Sequence, residues 1–376
     1  MMKNKNRIHL SANIALLLTF SLAACTNGET VEPAQEKQTS ISFSGNMPRG
    51  EAISRADKGL EEVLDNKTFK VWSYKNTAMS SDNYTAYQNV MFGYTVDYET
   101  NSGSASNTHD WEYVGKGTNQ TIKYWDFSAY AYRFFGYALG NGTGSSVTVD
   151  DTDASKVNFT TSVDCSSETT MNSAPYFTEL WFSADKANAY GKVVTLKFLK
   201  PYARVRFLFN FVESLDFGRE RLSHIKFYPT GLLDTPSIPI AGNVTVTYPL
   251  TGTGTKETWS TEPTNNLAAF TIDWYETPDP AVTPDNDLPT TWPNSPRNWY
   301  YVLPATQGTY TVEVVVVGGE PKTAVVPAEY MKWEAGYEYT YVFKITESGA
   351  VEIDVIQVYV NEWTERASDN HKVYNW

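Results

Sequence analysis

The segment Val194-Thr195-Leu196-Lys197-Phe198-Leu199-Lys200-Pro201-Tyr202-Ala203-Arg204-Val205-Arg206-Phe207 sets the class of fold. Val194, Leu196 and Phe198 recur at every second position, and beyond the break so do Val205, Phe207, Phe209 and Phe211. In an extended chain alternate side chains point to opposite faces, so each set lines one face of a strand. Pro201 has no amide hydrogen to give to a ladder and separates the two. The stretch predicts two consecutive strands over 193–211, broken at Pro201.

The same pattern extends in both directions. Towards the N-terminus, Phe92, Tyr94, Val96 and Tyr98 alternate with smaller or polar residues, as do Val157, Phe159, Thr161 and Val163. Between them lies the aromatic run Tyr130-Ala131-Tyr132-Arg133-Phe134-Phe135-Gly136-Tyr137. Towards the C-terminus, strands are predicted at Ile225–Tyr228, Val244–Thr247, Ala269–Asp273, Trp299–Leu303, Thr309–Val317, Tyr337–Ile345 and Ile353–Val360. Turn residues separate these stretches, and a Pro/Asp-rich loop from Thr277 to Pro296 is unsuited to a central strand. A short helix is expected around Leu60–Leu64 and one helical turn at Ala328–Trp333. No 3.6-residue period persists over fifteen positions, and no unit repeats every 20–50 residues. The expected class is all-β, built as β-sandwiches.

The N-terminus reads as an export signal. Lys3, Lys5 and Arg7 precede an apolar run from Ile14 to Phe20, and Leu22-Ala23-Ala24-Cys25 follows. A basic start, a short apolar run and small residues at the cut describe a secretory signal peptide. The run is too short to span a bilayer, which takes ~20 apolar residues. A cysteine directly after the small residues is the bacterial lipobox, which predicts cleavage between Ala24 and Cys25. The Cys25 thiol then takes a diacylglycerol, and its new amine is acylated. Several chains anchor firmly, because each buried methylene contributes ~0.8 kcal/mol. Residues 1–24 are thus read as the signal peptide and 25–38 as a polar tether with Gly28, Pro33 and three Glu residues.

Composition narrows the function classes. The chain has 376 residues with 41% hydrophobic, 14% aromatic and only 19% charged, which suits a β-rich exported protein. Its net charge of −13 becomes about −16 once Lys3, Lys5 and Arg7 are removed. Such a charge argues against nucleic acid and against electrostatic docking on anionic lipid. The two cysteines are Cys25 and Cys165. With Cys25 committed to lipid, Cys165 has no partner in the chain, and the core must hold the fold.

Nothing in the sequence assembles an enzyme. Of the four histidines His9 lies in the signal peptide, and His109, His224 and His371 are scattered without metal-ligand spacing. No nucleophile elbow, phosphate loop or zinc-protease helix occurs, and Gly140–Gly144 is a loop with no helix after it. Asp150, Asp151 and Asp153, like Asp285 and Asp287, supply oxygen ligands but not a complete calcium loop. They read as solvated acids. The expectation is no catalytic residue, no metal and no cofactor beyond the lipid on Cys25. Trp259, Trp274, Trp292 and Trp299 sit in or beside the long loops of the second half, where indole rings stack on sugars. Trp292, between Thr291 and Pro293, is the best candidate for a ligand-facing ring.

Three stretches taken in order resemble the fimbrillin family, the lipoprotein pilins and pilus-tip adhesins of anaerobic Gram-negative bacteria. They are the lipobox with its tether and the strand Thr39–Ser44, then the pair Val194–Phe207, then Trp333-Glu334-Ala335-Gly336-Tyr337 to Ile345 closing in Ile353–Trp363. The family often has His-Ala where this chain has Pro201-Tyr202. The resemblance implies two tandem transthyretin-like sandwiches with Greek-key-type connections, here 39–190 and 191–376. It also implies assembly by strand exchange after a trypsin-like cut. Ile41 and Phe43 would then be the plugs of a removable strand, and Arg55 or Arg49 the cut site, Arg55 being preferred. An unpaired sheet edge captures an extended segment through its free N–H and C=O groups, so the scheme is physically sound. The implied protein is a structural or adhesive subunit of a fimbrium on the outer membrane, surface-exposed. Its partners would be other pilus subunits, the lipid of its anchor, and a host or bacterial surface glycan or protein. The alternative is a surface glycan-binding lipoprotein of similar architecture. The tail Thr364–Trp376 is polar and a poor donor strand, which favours a tip or accessory subunit over a stalk.

Overall fold

The computed structural model describes residues 39–46, 61, 64, 66–99, 110–140, 144–211, 222–272, 299–316, 319–346, 352–362 and 371–374. Ala24, Cys25, the tether, Arg49, Arg55, most of the expected helix at Leu60–Leu64, His109, Trp274, Asp285, Asp287 and Trp292 lie outside them. The described residues form a nearly all-β molecule.

The first sheet has eight strands. Its order is β1 (Phe43–Asn46), β10 (Val194–Leu199), β8 (Tyr176–Thr178), β5 (Ala131–Ala138), β2 (Thr68–Ser80), β3 (Asn83–Tyr98) and β4 (Trp111–Glu112), with β9 (Trp181–Ser183) also on β5. The aromatic run is the central strand β5, and every one of its residues is buried. Tyr132 and Phe134 enter a core on one face, and Phe135 and Tyr137 one on the other. Gly136 is required by proximity, since a Cβ there would lie 2.1 Å from the Lys70 carbonyl oxygen. β2 and β3 form a long hairpin turned by Ser81 and Asp82, both at positive φ, the geometry of a tight two-residue turn.

A four-stranded sheet covers one face of the first, in the order β14 (Thr258–Leu267), β13 (Ile238–Pro249), β7 (Lys156–Asp164), β6 (Thr148–Asp150). Trp72, Phe135, Phe159, Val246 and Tyr248 fill the space between. Arg133 is wholly buried here. It donates to the Tyr87 hydroxyl at 2.9 Å, to the Pro249 carbonyl and to the Gly252 carbonyl at 2.7 Å, with the rings of Tyr87 and Phe182 about its guanidinium.

The remaining sheets enclose a separate core. One runs β16 (Tyr300–Val302), β11 (Ala203–Phe211), β21 (Tyr337–Thr346), β22 (Glu352–Glu362), β23 (His371–Tyr374). The other runs β15 (Phe270–Ile272), β12 (Leu222–Pro229), β18 (Tyr310–Val316), β19 (Lys322–Val326). Phe207, Phe227, Phe270, Tyr310, Trp333, Tyr341 and Phe343 pack between them. A two-stranded ladder, β17 (Ala305–Thr306) with β20 (Lys332–Trp333), lies beside this core. The expected helical turn is a 3-10 turn at Ala328–Tyr330 that gives way to β20.

The two strands of the Val194–Phe207 segment do not pair with each other. β10 stays in the first sheet while β11 enters the third, so the chain changes sheet across Lys200-Pro201-Tyr202. The junction is firm. Gly336 donates its amide to the Tyr202 carbonyl at 3.0 Å, and at φ +76° it leaves no room for a Cβ, which would lie 2.9 Å from Leu199. Sheet membership also crosses the expected 190/191 boundary, because β10 completes the first sheet and β13 pairs along nine register positions with β7.

Candidate functional site

The site is the groove that holds residues 40–46. Its floor comes from β10, where Val194, Leu196 and Phe198 point inward and are fully buried. Its walls come from Phe69 of β2, Phe134 of β5 and the segment 113–125. Alternation in β10 and β5 produces this surface directly: each strand gives one face of large apolar side chains.

Ile41 and Phe43 fill the groove, at 0% and 2% exposure. The Phe43 ring meets Phe134, Tyr113 and Phe69 edge-on, with centroids 5.8, 6.0 and 6.2 Å away. Burying each of these side chains contributes about 2–3 kcal/mol. The backbone is held from both sides. Ser40 bridges to Tyr124, and the Ile41 amide donates to the Lys123 carbonyl at 2.8 Å. On the other side the Val194 amide donates to the Ser42 carbonyl at 2.8 Å, and β1 runs parallel to β10 over four register pairs, Phe43–Asn46 against Val194–Lys197. The Ser44 and Thr195 hydroxyls share a bond of 2.8 Å. β1 is the last strand of its sheet, so its own outer edge is a rim.

Tyr113 is the hub on the wall. Its hydroxyl donates to the Ile41 carbonyl at 3.0 Å and accepts from the Lys123 amide at 3.1 Å. Burial raises its pKa well above the usual tyrosine range, so the hydroxyl stays a donor at any physiological pH. Gln120 fixes the loop that carries it. The Gln120 amide exchanges two bonds with Thr95, at 2.9 and 2.8 Å, and donates to the Tyr113 carbonyl at 2.7 Å. It thereby imitates a strand partner along β3 where β4 stops. Asp126 pins the next turn. It accepts from Lys75 at 2.8 Å and from Ser128, and these bonds hold its pKa at about 2.

The sequence-predicted plugs Ile41 and Phe43 therefore sit together in one aromatic groove. The wall residues Phe69 and Tyr113, and the Gln120 that holds Tyr113, were not singled out by sequence, because nothing local marks a wall whose partner is distant in the chain, 72 residues away for Tyr113 and Ile41. The residues directly after β1 carry Arg49 and Arg55, outside the described region.

The other candidates are engaged structurally. Trp299 stacks on the Arg204 and Arg206 guanidinium groups, 4.2 and 4.5 Å from its ring centroid. Trp259 is partly buried and donates Nε1 to Glu257 at 3.3 Å. Asp150 and Asp153 each cap their own turn, accepting from Thr152 and Ser155, and these bonds lower both pKa values. His224 lies 3.5 Å from Glu313. Cys165 is a free, half-buried thiol whose pKa burial raises. Among the described residues no three His, Cys, Asp or Glu side chains cluster as metal ligands, and no helix is long and apolar enough to cross a membrane.

No protein-family model matches the sequence, and no curated protein matches it either. Solved structures do. A fimbrial protein from Bacteroides vulgatus superposes with a TM-score of 0.41 at 12% identity, covering 86% of this chain and 99% of that one. A structure from Bacteroides ovatus, described provisionally as a cell adhesion protein, gives 0.40 at 12% identity over 88% of this chain and 99% of its own. A fimbrial assembly protein from Parabacteroides distasonis gives 0.33 at 12% identity over 89% and 99%.

Proposed function

We propose that this chain is a fimbrillin-like cell-surface lipoprotein, a structural or adhesive subunit of a fimbrium assembled by strand exchange, at the tip or as an accessory. In this reading its two sheet pairs are tandem transthyretin-like domains. Cys25 carries the lipid that anchors it in the outer membrane, and other pilus subunits are its partners. One observation carries the reading: a short parallel strand at the rim of a sheet, with two large side chains buried in an aromatic groove, directly before a segment with two arginines. A strand so placed can leave by releasing four register pairs with β10 and the bonds of Ser40 and Ile41 to Tyr124, Lys123 and Tyr113, while its groove stays built by other strands. The vacated groove would expose apolar surface and the β10 edge, and an extended segment of a neighbour would satisfy both. The sequence resemblance and the class of the structural neighbours point the same way.

Limited trypsin digestion tests this. Low doses should release one N-terminal peptide ending at Arg55 or Arg49, and the remaining chain should form multimers on size exclusion. The double variant Arg49→Ala/Arg55→Ala should stay monomeric. Retention of residues 39–46 after cutting, with no multimers, would show that β1 is a permanent strand and that exchange is wrong.

A further inference from the structure

We infer that the cleft between β14 and the β17–β20 ladder is a binding site for a neutral saccharide. The cleft holds about 660 Å³ and lies where the β13–β14 hairpin, that ladder and the end of β10 meet. Sites of this size at the junction of packed units are where ligands are most often held.

Among the described residues, two polar atoms in its wall lack a protein partner. They are the Ser237 hydroxyl and the Asn266 carbonyl oxygen, both shielded from bulk solvent. Their placement follows from the hairpin register. Ser237 donates its amide to Leu267, and Pro239 faces Asn266, so Ser237, Pro239 and Asn266 share the face opposite Ile238 and Leu267. Ile238 and Leu267 go to the core, which turns the other three towards the cleft. A shielded hydroxyl and amide oxygen without partners favour a ligand that supplies hydrogen bonds.

The acids lining the cleft are already engaged. Glu334 pairs with Lys332 at 2.9 Å, and Glu179 with Lys197 at 3.0 Å. Glu257 is buried and accepts from the Leu180 amide at 2.8 Å and from Trp259. Lys256 is exposed at the mouth. Apart from Lys256, the groups left open are uncharged, which fits hydroxyls better than ions. The indole of Trp259 and the rings of Pro263 and Pro304 supply carbon-rich walls, and Glu257 fixes the indole's orientation. Sugar rings present C–H faces and hydroxyls in the same alternation, and a pre-oriented ring loses little freedom on binding.

This inference gives the adhesive part of the proposed function a ligand class, and it holds whether or not β1 exchanges. The test uses the uncut monomer, so its failure is separable from a failure of strand exchange. Maltoheptaose, cellohexaose, xylohexaose, mannohexaose and N-acetylchitohexaose are titrated calorimetrically. At least one should bind saturably. Ser237→Ala and Asn266→Ala should each weaken that binding about tenfold, with the thermal midpoint unchanged. No binding by any probe up to about 10 mM, or binding equal in the double variant, would overturn it.

Discussion

β10 and β11 follow one another in sequence across Lys200-Pro201-Tyr202, and each has a parallel neighbour, yet the two pairs are built to different ends. β11 runs beside β21 over eight register pairs, Arg204–Phe211 against Glu338–Ile345. β21 is an inner strand, tied on its other side to β22 by a hairpin. β10 runs beside β1 over four pairs, and among the described residues no strand lies beyond β1 in the sheet. Phe43 and Phe343 are nonetheless both buried, one in each core. On the proposed exchange, equal burial would not mean equal permanence. What makes a strand removable is the number of ladder bonds and of neighbours it must abandon, while its side chains only need a groove that others build.

Phe43→Ala and Phe343→Ala break this comparison most forcefully. Each should cost about 3–5 kcal/mol, the usual loss for a buried phenylalanine. The consequences should differ. Phe343→Ala should weaken the β11–β21 sheet as a whole. Phe43→Ala should free β1 alone, seen as loss of hydrogen-exchange protection at the Val194 amide, whose acceptor is the Ser42 carbonyl, with the second core still protected. Simultaneous loss of both sets of protected amides in Phe43→Ala would mean that β1 is integral to the molecule.

Much of this architecture is legible in the sequence, and the rest is missing for identifiable reasons. β10, β11, β21 and β22 announce themselves by period-2 alternation, and β5 by an aromatic run that suits a strand buried on both faces. β14 goes unread because Thr258–Leu267 is polar, and Pro263 makes it look unlike a strand, though Pro263 sits beside a register shift opposite Gly242. β3 reads as one alternating face, Phe92 to Tyr98, but Gly93 at φ +59° and the nearby register shifts switch sides. Phe92 is 55% exposed as a result, while Val96 is fully buried. The groove was legible only by halves: Ile41 and Phe43 stand out as an alternating pair, but the choice of β10 as their partner depends on contacts 150 residues apart. Trp299 looked free because the two arginines that stack on it belong to another strand.

If β1 is dispensable to the first sheet pair, something else must hold the pair together, and Arg133 is that tie. It joins β5 to the Pro249 and Gly252 carbonyls at the turn of the β13–β14 hairpin. Arg133→Met keeps the bulk but leaves two partly buried carbonyls without this donor. It should cost about 3 kcal/mol, since hydrogen bonds from a charged donor contribute more than neutral ones. The loss should be additive with that of Phe43→Ala in urea titrations if the tie and the plug are independent. Strong coupling between them would join β1 to the same cooperative unit and remove the contrast with β21.

The break between β10 and β11 carries the smallest effect per unit of pH, and it is readable by pH alone. Lys200 is buried, with Nζ donating to the Ala174 carbonyl at 2.7 Å and lying 3.7 Å from the Tyr176 ring centroid. Burial pushes its pKa down to about 7, from an ordinary 10.5. Between those two values the unfolded chain holds a proton that the folded chain does not. Stability should therefore rise as pH climbs from about 7, by at most about 1.4 kcal/mol per pH unit, with the full penalty for charging present below 7. Above about pH 10 the trend reverses, because buried tyrosines such as Tyr202 and Tyr341 have raised pKa values and ionise first in the unfolded chain. Denaturant midpoints between about pH 7 and 8 isolate the lysine, because above that the Cys165 thiol, whose pKa burial raises, ionises first in the unfolded chain and pulls stability down. Lys200→Met should flatten that slope and leave β1 protection unchanged, because the junction fixes where the chain changes sheet and not how firmly the plug is held. A slope unchanged by the substitution would assign the pH dependence elsewhere, and a loss of β1 protection would make the junction part of the latch.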